Sequence, residues 1–190
     1  MLVLKGIYLA PYMQIATLLI GKQRHAGGNM FRHQIDTLGI LIDYGYIDSV
    51  LLKAACIHDV IEDIPDFNCN QILEIDSESG QVYDLVMEVT KQEGQPKNEY
   101  LKRIIEKGSH KAKVLKCADR ISNMISLGFV TNPEFIERYC EETELYIFPI
   151  ALEVNFDMYQ ELIHLVISRR QYLEDSGFLC RRIDPSETSP

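Results

Sequence analysis

The amino-acid sequence predicts an all-α protein built as one domain. Apolar residues recur at spacings of three and four along almost the whole chain of 190 residues, whereas the alternation of apolar and polar residues that marks strands is nearly absent. Hydrophobic residues make up 46% of the chain and charged residues 25%, which is the composition of a globular protein. One domain is expected at this length, and we place it at residues 1–175.

Turn residues divide the periodic pattern into eight predicted helices. The Gly27-Gly28 doublet ends the first helix, Gly45 suits the cap that follows the second, and Pro65 closes the third. The eight helices are predicted over residues 11–25, 34–44, 49–63, 79–90, 97–107, 109–129, 133–152 and 156–174. Residues 176–190 are rich in Ser, Pro and charge, so we expect a flexible tail.

Composition also excludes several classes of function. The chain has 19 Lys and Arg against 28 Asp and Glu, a net charge of −9, which argues against broad electrostatic binding to nucleic acid or to an anionic membrane. The apolar N-terminal stretch is interrupted by Lys5, Pro11 and Gln14, so neither a signal peptide nor a membrane span is predicted. The five cysteines form no CxxC pair, which argues against a disulfide framework and against a thiolate zinc site. We therefore expect a protein of the reducing cytoplasm.

The most informative segment is LLKAACIHDVIED at residues 51–63, where an apolar run ends in His58, Asp59, Glu62 and Asp63. On a helix His58 and Glu62 lie one turn apart, as do Asp59 and Asp63. Burying such a cluster of ionised carboxylates costs several kcal/mol per group unless a cation compensates. The segment therefore predicts a site for a cation.

A second apolar segment, VLKCADRISNM at residues 114–124, carries an acid in the same way. Asp119 lies inside the apolar pattern, with Arg120 beside it and Asn123 one turn later. The repetition of this pattern indicates that two distant segments supply carboxylates to one place.

Basic and imidazole groups flank the first turn of the chain. Arg24-His25 ends the first predicted helix, and Arg32-His33 precedes the second. Two imidazoles and two carboxylates would form a mixed nitrogen and oxygen shell suited to manganese, iron or zinc, with positions left for water and substrate. The predicted ligands are His33, His58, Asp59 and Asp119.

The order of these motifs resembles that of the HD-domain hydrolases of the RelA/SpoT type. The likeness covers about residues 16–154 and includes HDVIED, ADRISNM, VMEVTK at residues 86–91 and EETELYIFPIA at residues 141–151. Because the long members of that family add synthetase and regulatory domains, the chain is similar to a stand-alone small alarmone hydrolase.

The resemblance implies an all-helical HD-domain bundle that holds one divalent ion, usually manganese. Its implied activity is removal of the 3′-pyrophosphate of guanosine tetra- or pentaphosphate by a metal-activated water, which releases GDP or GTP and pyrophosphate. By position, the four predicted ligands match the family's metal ligands, and Glu62 and Asp63 match the acidic pair that orients and deprotonates water. Arg24 and Asn123 match nucleotide-contacting positions, and His25 is a further candidate for phosphate contact.

The sequence departs from the family pattern at three places. His25 replaces a lysine, Gln34 follows His33 where a proline is common, and Phe135 and Ile136 lie where many relatives carry a cation. These departures leave the adenosine counterpart (p)ppApp and the 2′-phosphate of NADPH open as substrates of the same chemistry. Two other readings stay open, namely another HD nucleotide phosphohydrolase and a non-catalytic nucleotide-binding regulator.

Overall fold

A computed structural model describes residues 4, 6–25 and 28–176, and these residues form eleven α-helices without a strand. The helices are α1 (Ala10–Ala16), α2 (Met30–Asp43), α3 (Ser49–Ile57), α4 (Val60–Asp63), α5 (Asn70–Leu73), α6 (Ser79–Val89), α7 (Lys97–Lys107), α8 (His110–Ser126), α9 (Pro133–Glu142), α10 (Phe148–Val154) and α11 (Phe156–Asp175). The all-α prediction is confirmed. Except for Ser176, the predicted tail lies outside the described residues.

Two helices form the centre of the bundle. In α3 every residue from Val50 to Ile57 is buried, because its sequence is apolar around the whole circumference. The helix α8 is buried along most of its length, and α2 packs against both α3 and α8. This packing brings the end of α3, the start of α2 and the middle of α8 together, and all three places carry predicted site residues.

Side-chain caps fix where several helices begin. Asn29 accepts a hydrogen bond from the backbone N–H of Arg32, and Asp48 accepts one from Leu51, so α2 and α3 start with a satisfied first turn. Gly45 follows α2 with a φ of +76°, a conformation that favours glycine, and the Tyr46 N–H donates to the Leu41 carbonyl at 2.9 Å. The cap predicted at Gly45 is therefore confirmed.

Helix boundaries differ from the predicted ones near the site. The first helix ends at Ala16, followed by a 3₁₀ turn at Thr17–Leu19, so Arg24 and His25 lie in a turn rather than on a helix. The cap at Asn29 starts α2 four residues before Gln34, so His33 lies inside its first turns. The segment predicted at residues 49–63 is interrupted at His58 and Asp59, and a π-helical turn at Thr143–Ile147 divides the one predicted at residues 133–152.

None of the helices in the described part of the chain combines the length and the apolar character that crossing a bilayer requires. Cys56, Cys117 and Cys140 are buried free thiols. The limits placed on the domain stay a prediction.

Candidate metal centre and substrate cleft

A cleft of about 440 Å³ opens beside α2, α4 and α8. Eight of the nine predicted site residues line it, although the chain supplies them from four separate segments. The ninth, His58, is buried next to it, with its ring centroid 5.1 Å from that of His33. The fold thus gathers the whole predicted set into one region.

His33 is held from behind by a hydroxyl group. Its Nδ1 lies 2.8 Å from the Ser122 Oγ on α8, and its Nε2 lies 3.0 Å from Asp119 Oδ1 and 3.4 Å from Asp59 Oδ2. The ring is almost completely buried. One nitrogen is therefore used for positioning while the other points at two carboxylates.

His58 is oriented by the backbone. Its Nδ1 lies 2.9 Å from the Ala55 carbonyl oxygen, and since a carbonyl only accepts, Nδ1 carries the proton of the neutral ring. The buried Nε2 has no hydrogen-bond partner, although Asp59 Oδ2 lies at 3.3 Å and Asp119 Oδ1 at 3.9 Å. Burial lowers the pKa of His58, but Asp59 and Asp119 outweigh burial and raise that pKa to about 9.

Asp59 forms two hydrogen bonds with Gln34, which is completely buried. The Gln34 Nε2 donates to Asp59 Oδ2 at 2.9 Å, and the Asp59 backbone N–H donates to Gln34 Oε1 at 3.4 Å. The sequence did not single out Gln34 as a functional residue, because its only sign was the absence of the family's proline.

Asp119 is the buried carboxylate of the cluster and has a partner on each oxygen. The Lys116 ammonium lies 2.5 Å from Oδ2, and the Asn123 amide donates to Oδ1 at 2.5 Å. Burial raises the pKa of Asp119, but Lys116, His33 and His58 outweigh it and hold that pKa well below its usual range. The carboxylate therefore stays ionised at neutral pH, in the form that binds cations.

The geometry fits a divalent metal ion. Ligand atoms of His33, His58 and Asp119 lie within 4.8 Å of one another, and Asp59 Oδ2 lies within 3.4 Å of both imidazole Nε2 atoms. The buried Nε2 of His58 has no hydrogen-bond partner and faces two carboxylates, so this place favours a positive charge, which a proton on the ring or a bound metal ion can supply. Two nitrogens and two oxygens are a donor set for manganese, iron or zinc.

The acidic pair Glu62 and Asp63 lies on α4 at the edge of the cleft. Asp63 Oδ1 contacts the Lys22 ammonium at 2.6 Å, and the same ammonium donates to the Asp63 carbonyl at 2.8 Å. Glu62 Oε2 accepts from the Lys91 backbone N–H at 3.1 Å. Two segments distant in sequence therefore hold the pair in place, close to but separate from the four donors.

Arg24 contacts α8 rather than a carboxylate. Its guanidinium donates to Asn123 Oδ1 at 2.6 Å and to Ser126 Oγ at 3.0 Å, and Asn123 in turn donates to Asp119. The structure therefore brings Arg24 and Asn123 together at the cleft wall, one contact away from the buried carboxylate. His25 lies exposed on the same wall.

Sequence reasoning missed a group of cations and aromatic rings on another wall, formed by Lys97, Tyr100, Lys116, Arg120 and Tyr139. Of the two residues expected to replace a family cation, Phe135 lines the cleft and Ile136 is buried in the core. Arg120 next to Asp119 was a usable signal, because a guanidinium inside an apolar helix needs a partner.

Comparisons with known proteins agree with the fold. No family model matches the chain. The mouse guanosine-3′,5′-bis(diphosphate) 3′-pyrophosphohydrolase MESH1 is 32% identical over 121 residues, which span 61% of this chain and 65% of that protein. A solved structure of a metazoan ortholog of SpoT, described as hydrolyzing ppGpp and acting in starvation responses, matches with a TM-score of 0.71 at 24% identity. That match covers 90% of this chain and 96% of the other, so the two chains share a fold.

Proposed function

We propose that this chain is a metal-dependent 3′-pyrophosphohydrolase of guanosine tetra- and pentaphosphate. The observation that carries the proposal is that ligand atoms of His33, His58 and Asp119 lie within 4.8 Å of one another, with Asp59 Oδ2 within 3.4 Å of both imidazole Nε2 atoms. The similarity to MESH1, whose name states this activity, supports the choice of substrate.

In the proposed reaction water attacks the phosphorus next to the ribose 3′-oxygen. The bond between that phosphorus and the 3′-oxygen breaks, the 3′-oxygen takes up a proton, and pyrophosphate leaves from GDP or GTP. A divalent ion held by the four donors would lower the pKa of a coordinated water and neutralise phosphate oxygens. We propose manganese, which suits a shell of imidazole and carboxylate ligands.

Glu62 and Asp63 are proposed to orient the attacking water and accept its proton. Both side chains line the cleft on the short helix that directly follows Asp59, so they lie next to the four donors without belonging to them. A carboxylate in that place is a suitable general base for a water whose pKa has been lowered.

Arg24, Asn123 and His25 are proposed to contact the nucleotide. Arg24 presents a planar guanidinium at the wall, a group that binds phosphate oxygens through paired hydrogen bonds. Such local contacts matter here because the net charge of −9 repels a polyanionic substrate.

The free thiols of the described cysteines support a reducing compartment, and we propose the cytoplasm.

The test is a panel of ppGpp, pppGpp, ppApp and NADPH incubated with the protein and Mn²⁺, with products separated by anion exchange. We expect GDP and pyrophosphate from ppGpp, and loss of at least about 100-fold in rate in a Glu62→Gln, Asp63→Asn double variant that still binds Mn²⁺. Calorimetric titration with Mn²⁺ checks that the double variant keeps the ion.

Each other outcome points to a different function. Turnover of ppApp or NADPH in place of ppGpp would move the same chemistry to another substrate. Orthophosphate as the product would identify another nucleotide phosphohydrolase, and nucleotide binding without turnover would identify a regulator. Full activity of the double variant would contradict the role of Glu62 and Asp63.

A further inference from the structure

The acidic pair lies on a helix that is too short to hold its own position. The helix α4 has only four residues, and an isolated helix of that length is unstable in water, so its side chains depend on contacts from elsewhere. Asp63, its last residue, receives such a contact from Lys22, which lies 41 residues earlier. The Lys22 ammonium donates to Asp63 Oδ1 at 2.6 Å and to the Asp63 carbonyl oxygen at 2.8 Å. One cation thus fixes both the side chain and the backbone at the end of α4.

Lys22 is itself held through its backbone. Its N–H donates to the Leu19 carbonyl at 3.1 Å, and its carbonyl accepts from the N–H of Met30, where α2 begins, at 2.9 Å. The ammonium therefore extends from a fixed point of the chain. The Lys22 side chain is 42% exposed and that of Asp63 is 22% exposed, so their contact lies at the rim of the cleft.

Without this cation Asp63 could join the proposed metal ligands. The Asp63 N–H donates to the Asp59 carbonyl at 2.9 Å, as in a helical turn, and side chains four residues apart on a helix have Cβ atoms about 5–6 Å from each other. Asp59 is one of the four proposed donors. Since carboxylate oxygens suit a manganese ion, a carboxylate one turn from Asp59 on the same face is a natural further ligand.

A further protein ligand would oppose the proposed reaction. A catalytic metal site keeps a coordination position open for water, and an additional carboxylate would fill that position. Asp63 is also proposed to orient the attacking water, which it can do only from outside the ligand shell of the ion. The reaction therefore needs Asp63 near the ion but not on it.

We propose that Lys22 is a positioning residue that keeps Asp63 off the metal ion, so that one coordination position stays free for water. The inference rests on the proposed function, because it deepens the role of Asp63 in that reaction. Lys22 acts through Asp63: its ammonium compensates the charge of the carboxylate and holds Oδ1 at 2.6 Å, in place of the ion.

The first test measures metal binding without substrate. Calorimetric titration should show that Lys22→Met binds Mn²⁺ about tenfold more tightly than the wild type, because Asp63 becomes an additional charged ligand. Water-proton relaxation of the Mn²⁺-loaded protein counts the waters on the ion, and we expect one fewer in Lys22→Met. Lys22→Arg keeps the charge and should match the wild type in both measurements. A merely structural role of Lys22 would weaken Mn²⁺ binding instead.

Two further variants make the test specific. Lys111→Met is the matched control, because the Lys111 side chain is also 42% exposed and also pairs with an aspartate, Asp48, away from the cleft. It should leave the Mn²⁺ affinity and the water count unchanged. In a Lys22→Met, Asp63→Ala double variant the lost water should return, since the additional ligand is gone.

Turnover separates this inference from the proposed activity. With Mn²⁺ and ppGpp, Lys22→Met should lower kcat at least about tenfold and leave KM within about twofold, because the defect lies in the attacking water and not in substrate binding. An unchanged water count in folded Lys22→Met, a loss of water that persists in the double variant, or a raised KM alone would overturn the inference. If the wild type binds Mn²⁺ without hydrolysing ppGpp, the proposed activity fails and the water count still decides the role of Lys22. A wild type that does not bind Mn²⁺ would overturn both.

Discussion

At the scale of single residues, Gln34 forms two side-chain hydrogen bonds that a proline in its place could not form. Its amide donates to the Asp59 carboxylate and accepts from the Asp59 backbone N–H, so it orients both the ligand atom and the chain that carries it. Gln34 is the fifth residue of α2, and a proline inside a helix removes a hydrogen bond and clashes with the preceding turn. A proline at position 34 is therefore incompatible with a helix that starts at Met30.

This role predicts a weaker metal site in Gln34→Ala. The variant loses the hydrogen bond that holds Asp59 Oδ2 towards the two imidazoles, and removal of such supporting contacts typically costs 10- to 100-fold in metal affinity. We expect the dissociation constant for Mn²⁺, measured by calorimetry, to rise about tenfold. Gln71→Ala, at an exposed glutamine of α5, is the control. Unchanged Mn²⁺ affinity in a folded Gln34→Ala protein would refute the role.

At the scale of helices, the break between α3 and α4 results from side chains that compete for the backbone hydrogen bonds of the helix. If α3 continued, the Ala55 carbonyl would accept from the Asp59 N–H. Instead His58 Nδ1 takes that carbonyl, and the Asp59 N–H donates to Gln34 Oε1. The apolar period of residues 51–63 predicted one helix, since the competing partner comes from another helix and is invisible to a local pattern.

A buried lysine ties α3 to its neighbours. The Lys53 ammonium contacts Asp76 at 2.8 Å and Glu78 at 2.6 Å, and its own side chain is only 6% exposed. The Tyr12 hydroxyl of α1 also donates to Asp76. The lysine and its two carboxylates thus join α3, α1 and the start of α6.

Removing this charge should destabilise the bundle. Lys53→Met leaves Asp76 and Glu78 without their cation, and because both carboxylates are partly exposed we expect a loss of about 2 kcal/mol rather than the 3–5 of a fully buried pair. Urea denaturation measures this loss. Lys111→Met breaks an exposed pair with Asp48 and should cost less than about 1 kcal/mol. Equal effects of the two substitutions would contradict the role of Lys53.

At the scale of the whole molecule, the sequence predicted those site residues that interrupt the pattern of their own segment. Asp119 and the group from His58 to Asp63 were visible because charge interrupts an apolar period, and His33 was visible because it flanks a helix start. The cleft wall that carries Lys97 was not predicted, because an exposed lysine at a helix start is ordinary and its partner Glu142 lies 45 residues away. Contacts between distant segments that leave no local irregularity are found only in the fold.

The same convergence predicts that a metal ion and a proton compete for the Nε2 of His58. In metal-free protein His58 has a pKa of about 9 against 6.5 for an unperturbed histidine, and a raised folded pKa means a contribution to stability that is complete below pH 6.5 and lost as pH rises through 9. The contribution corresponds to at most about 3 kcal/mol. A metal ion requires the neutral ring, so its stabilising effect increases over the same range.

The difference in Tm between samples with Mn²⁺ and with EDTA should therefore grow from pH 6.5 to 8.5, and taking this difference cancels the titration of groups remote from the cluster. Asp119→Ala should show no difference at either pH, whereas a wild-type difference that is constant or shrinks with pH would contradict imidazole ligation.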